Sequence, residues 1–228
     1  MKVLGLDGCR GGWVGVLTDP AFAAPRAVGG NDLDALLVES CPEIVVIDIP
    51  IGLSANEHAR CCDIAARRAM TGKGSSVFNT PVRGILAATD YTTALEINRS
   101  MSGKGFSRQA WAIVPKIKEA DLVARSRPMR LREGHPELSF TIANGGNPVL
   151  ASKSTAAGLF QRLQLLAKVG FPIDRLDLSD LPARALADDL ADAAIMAWSA
   201  GRLAEGKAAL FPPTLACDDY GLPMQMVA

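Results

Sequence analysis

Apolar positions alternate with polar or small ones over residues 2–7, where Val3, Leu4 and Leu6 form the apolar set, and again over 13–17. The glycine-rich link between these stretches predicts a β-hairpin, and a third strand is expected over 25–28. Leu33, Leu36, Leu37 and Val38 recur at helical spacing behind Asn31 or Asp32 as cap, and Cys41-Pro42 stops the helix. The unbroken apolar run Ile44–Ile47 describes a strand covered on both faces, therefore a central parallel one, and Asp48 stands at its C-terminal end. Two strands thus end at an aspartate, Asp7 and Asp48.

Ser54 and Glu57 have capping-box spacing, which predicts a helix over 54–70, and the small polar stretch 71–81 reads as a loop. Residues 85–124 are helical in pattern, broken at Gly103-Lys104-Gly105, with no convincing strand. The segment 54–127 is therefore expected to be a mostly helical insertion in a single domain spanning 1–228. Residues 129–140 begin as a short strand and become a helix, whose first turn suits Pro136 and Glu137. Two helices follow, over 154–169 and 183–204, and Pro212-Pro213 is expected to close the ordered core.

Composition changes this picture little. The 228 residues are 49% hydrophobic and 21% charged, which is ordinary for a folded chain and unlike a disordered one. Five cysteines in no paired spacing argue against a disulfide framework or a zinc site and for reduced thiols. No apolar run has the length of a membrane span and no leader pattern opens the chain, so a cytoplasmic location without a membrane partner is expected. The zero net charge weighs against a surface that grips nucleic acid everywhere, yet residues 60–132 hold fourteen Lys and Arg against five acids.

The acids carry the chemistry. Asp189 and Asp192 lie three apart on the last long helix, on the side that also bears Ala193 and Ala197. Those small residues would let the helix approach a sheet closely and bring both carboxylates to the strand ends at Asp7 and Asp48. Clustered carboxylates resist ionisation unless a cation joins them, and hard oxygen donors suit Mg²⁺ or Mn²⁺, here as a pair of ions held by Asp7, Asp48 and Asp192. Each acid also has an ordinary alternative: Asp7 as a turn residue, Asp48 as a strand-end acceptor, Asp189 as a first-turn dipole partner. Gly8, Gly11 and Gly12 would leave room for a phosphate, with Arg10, Arg67, Arg68, Lys73, Ser75 and Ser76 as further substrate contacts. Trp13 reads as hairpin packing.

This order of elements, with acids on strand one, after strand four and on a late helix, resembles the ribonuclease H-like fold: a mixed sheet of antiparallel hairpin strands and parallel strands with flanking helices. More closely, GLDGCRGGWVGV (5–16), IDIPIGL (47–53), CDIAARR (62–68), SSVFNTP (75–81), HPELSF (135–140) and the DD-x-x-DA of 188–193 resemble a bacterial family of unknown function, domain of unknown function four-two-nine. That family is described as predicted nucleases of ribonuclease H fold. The resemblance implies Asp7, Asp48 and Asp192 as the core acids, Asp189 as a partner, and Glu137 and His135 of the HPE motif near the metal, His135 to protonate a leaving oxygen or position water. The implied activity is metal-dependent phosphodiester hydrolysis on nucleic acid or nucleotide phosphates. Two alternatives stay open: a small-molecule phosphotransferase or phosphatase of the actin-like ATPase type, and a non-catalytic binding protein. A homodimer is also an expectation.

Overall fold

The patterned strands do pair as a hairpin: β1 (Val3–Cys9) runs antiparallel to β2 (Gly12–Thr18), with Asp7 opposite Val14. Gly11 closes the two-residue turn at φ +74°, a left-handed backbone that glycine adopts without Cβ strain. The computed structural model describes residues 1–57, 59–127 and 130–228. Two residues of the expected elements, His58 in the helix and Met129 in the strand, lie outside them.

β3 (Arg26–Gly30) adds antiparallel to β2, and α1 (Leu33–Ser40) follows, its Ala35 N–H donating to the Asp32 side chain at 2.8 Å. The apolar run forms β4 (Ile44–Ile47), parallel to β1, and β5 (Arg130–Gly134) lies parallel beyond it. Between β4 and β5 the described residues form α2 (Cys61–Ala69), α3 (Tyr91–Ser102), α4 (Arg108–Ala112) and α5 (Val114–Ser126) and no strand. After β5 come α6 (Pro136–Ala143), α7 (Ala156–Lys168), α8 (Ala187–Ala204), β6 (Leu210–Phe211) and β7 (Met226–Val227). The product is a mixed α/β fold on one seven-stranded sheet of order β3-β2-β1-β4-β5-β7-β6.

Helices cover both faces. α1 and α5 pack Leu33, Leu37, Ile117, Ala120 and Val123 against Leu4, Leu6, Val45 and Ile47. α5 is thus a layer of the core, and α2 packs through Cys62, Ala66 and Met70 against Leu138 and Met226. On the other face α8 lies against Val3, Val14, Ile44 and Val46 through Ala193, Ala194 and Ala197. At Gly5 the two backbones meet: a Cβ there would fall 2.0 Å from the Ala197 nitrogen and 2.3 Å from the Ala193 carbonyl oxygen. Gly5 is the groove that α8 crosses.

Two expectations are corrected. The helix placed over 54–70 begins only at Cys61; Ser54 does accept from the Glu57 N–H at 2.8 Å, but that bond closes a turn. Arg60 then interrupts, burying its guanidinium against the Ile51 and Gly52 carbonyls at 3.0 and 2.9 Å, which pins the chain extended just before α2. Nor does Pro212-Pro213 close the core. Met226 and Val227 are buried as β7, paired in parallel with β5 at Glu133 and Gly134, and two-residue strands carry too short a pattern to announce themselves.

Candidate active site

The carboxyl ends of the parallel strands β1, β4 and β5 open on one cleft, the usual place for a site in such sheets. Alternation puts Asp7 on the face of Gly5, so the helix that crosses Gly5 also passes over Asp7. Asp48 stands one step beyond β4, its N–H donating to the Leu6 carbonyl at 2.9 Å, beside Asp7 and on the face of Val46. Asp189 and Asp192 sit one turn and one residue before Ala193, at the same crossing. Close helix–sheet packing is therefore what assembles the acids.

Their environment is unfavourable to charge. Burial first, then the Asp48 and Asp192 carboxylates, hold the Asp7 carboxyl well above its ordinary range. Burial likewise pushes Asp48 and Asp192 up to about 7, although Lys153 pulls both down. Lys153, on the loop before α7, bonds Asp192 Oδ2; burial opposes its charge, but Asp192, Asp7 and Asp48 keep it protonated beyond the usual lysine range. The Lys153 ammonium thus serves several acids. Among the described residues, Asp7 Oδ1 accepts only from the Gly8 N–H, at 2.7 Å, and Asp192 Oδ1 is buried with no partner, its residue 1% exposed.

Two adjoining cavities, of about 290 and 410 Å³, share Asp48, Ser76, His135 and Lys153 on the ridge between them. Asp7, Gly8 and Asp189 line the first, and Lys73, Glu137 and Asp192 the second. His135 Nε2 lies 3.4 Å from the Ser76 carbonyl and its Nδ1 is buried without a partner; burial lowers its pKa, leaving a neutral ring.

The remaining expected residues fall elsewhere or are otherwise engaged. Glu137 is clamped by Arg162 at 2.6 and 2.8 Å, so its oxygens are spent on a bidentate pair at the end of the cleft. Lys73 donates to the Val149 carbonyl at 2.9 Å and lies 3.7 Å from Glu137. Arg67 holds the Val77 carbonyl at 2.9 Å and Asn79, so it braces the loop. Arg10, Arg68 and Ser75 are exposed and line neither cavity. Gly11 packs under Arg184 and Gly12 against the Gly30 carbonyl, which makes them turn and packing glycines. Trp13 is fully buried, its indole N–H donating to Glu119 at 3.1 Å.

Five charged lining residues escape the sequence pattern: Lys153, Lys116, Arg60, Asp63 and Glu133. Arg60 bonds Asp63 and Glu133, each at 2.7 Å, inside the fold. Cys62, Asp63 and Glu133 have ligand atoms within 4.8 Å of one another, close enough to hold a metal ion. The Arg60 guanidinium already pairs with both of these carboxylates, and burial raises the Cys62 thiol far from ionisation. The Arg60–Asp63 spacing of three across a helix start is the one signal that could have flagged this staple.

Fold and site define a mixed α/β protein with a recessed carboxylate cleft at the ends of its parallel strands. The chain belongs to the family described as Protein of unknown function (DUF429), whose profile matches residues 5–216. No curated protein and no solved structure matches it. Among the described residues no helix is long and apolar enough to cross a membrane.

Proposed function

We propose that this protein is a divalent-metal-dependent phosphodiester hydrolase of the nuclease kind, built on a ribonuclease H-like core. The strand order 3-2-1-4-5 of its first five strands, antiparallel and then parallel, supports that core. The observation that carries the chemistry is the unpartnered, buried Asp192 Oδ1 beside Asp7 and Asp48, a donor set short of positive charge. Hard oxygen donors fit Mg²⁺ or Mn²⁺. Held by Asp7, Asp48 and Asp192 with Asp189 at the rim, such ions would supply Lewis-acid charge and an activated water for in-line displacement. The acids do not form a set as tight as 4.8 Å, so the loading requires Lys153 to leave Asp192 and the carboxylates to draw in. Lys153, 39% exposed, has room to turn toward a phosphate oxygen. His135 offers its free Nδ1 as a proton acceptor, and Glu137 keeps Arg162 fixed at the end of the cleft. The five free thiols suit a reducing cytoplasm.

The test is hydrolysis of DNA, RNA, junctions and nucleotides with Mg²⁺ or Mn²⁺, run beside Asp7→Asn and Asp192→Asn. Both variants should stay folded and lose roughly 100-fold or more of the metal-dependent turnover. Unchanged turnover in either would remove that acid from the site.

A further inference from the structure

Asp7 and Asp192 are only 6% and 1% exposed, at the bottom of a cleft divided into two lobes. Duplex nucleic acid carries its phosphates on the outside of a stiff rod, so carboxylates this recessed favour a small or unpaired substrate over a duplex. The first lobe, about 290 Å³, lies near the lower end for small-ligand pockets, and its walls mix polar groups with Phe78, Ile113, Ile49 and Pro50. The second, about 410 Å³, is walled by Leu150 and Pro136. Lys153 stands on the ridge they share.

A second cation lines the same lobe as Asp7 and Lys153. Lys116 of α5 lines the first lobe, its Nζ 4.1 Å above the Trp13 ring and donating to the Gly12 carbonyl. Its stem crosses Gly8 so closely that a Cβ there would fall 2.8 Å from Lys116 Cδ. A side chain at Gly8 would make the Lys116 stem shift from this path. An ammonium has three donors, and the Gly12 carbonyl uses one.

We infer that the substrate is a small phosphodiester of nucleotide size, its phosphate between Lys116 and Lys153, a planar group against Phe78 in the first lobe and the leaving group in the second. This rests on the hydrolase reading above and narrows it. The experiment compares thymidine 5′-(p-nitrophenyl phosphate) with single-stranded and duplex oligonucleotides under Mn²⁺, alongside calorimetric binding of thymidine 5′-monophosphate with Mg²⁺. The small diester should be cleaved with saturation and the nucleotide bound, while duplex is left intact. Lys116→Gln should raise KM about tenfold with kcat nearly kept, Lys116→Arg should restore it, and Phe78→Ala should weaken nucleotide binding on an intact fold. Cleavage of oligonucleotides with the small diester inert would overturn the inference and leave the hydrolase standing. An unaltered KM in Lys116→Gln would remove the lysine clamp. No turnover, no nucleotide binding and no thermal shift with Mn²⁺ would bring down both readings.

Discussion

Gly5 and Asp7 are two residues apart on one strand face, and the first exists for the sake of the second. With α8 backbone 2.0 Å from where a Cβ would stand, Gly5→Ala must push the helix off the sheet. A loss of about 3 kcal/mol or more is expected in urea unfolding, with metal binding weakened because Asp192 moves with the helix. The acids themselves should behave in the opposite way, since they burden the metal-free fold. Asp48 and Asp192 have folded values near 7 against ordinary values of 3.8, so between those pH limits the folded state holds more protons than the unfolded chain. Metal-free stability therefore falls as pH rises through that window. Asp48→Asn should melt higher than the parent protein at pH 8 in chelator, lose that advantage as pH drops below about 7, and show no thermal shift with Mn²⁺.

At the scale of elements, two devices decide where the site sits. α8 brings Asp189 and Asp192, and its amphipathic pattern with Ala at the crossing made it readable. The Arg60 staple is the other: it ties the Ile51–Gly52 backbone, α2 and the end of β5 together through Asp63 and Glu133. Arg60→Leu leaves two carboxylates buried without a counter-charge, and about 3–5 kcal/mol should be lost in chemical denaturation. Adding Asp63→Asn and Glu133→Gln should recover part of it. Arg60 escapes sequence reading because its role depends on Glu133, 73 residues away, which no local period records.

For the whole molecule, the last twenty residues return to the sheet edge. Met226 and Val227 are buried, and Arg83 pairs with Asp121 and Asp218 while its guanidinium stacks 4.4 Å from the Tyr220 ring centroid. Deleting residues 214–228 should remove about 1.5–3 kcal/mol for each of Met226 and Val227 and lower the melting temperature accordingly. Burial alone would raise the Asp218 carboxyl, but N–H bonds from Leu53 and Leu222 and the Arg83 contact win and depress it. Its contribution is thus present above the ordinary carboxylate range and lost as pH falls through the depressed value; Asp218→Asn should flatten that acid limb of the stability curve.

Local pattern determined the hairpin, the central strand, the late helix and the three acids Asp7, Asp48 and Asp192, because each acid ends or interrupts an apolar run whose period is written in neighbouring residues. Tertiary structure alone decided which cations face those acids, where α2 begins, and that the C-terminal segment joins the sheet. Lys116, Lys153 and Arg60 look like ordinary surface charges in a polar context. What they do depends on distances between segments far apart in the chain, and electrostatic energy follows separation in space, which no one-dimensional spacing contains.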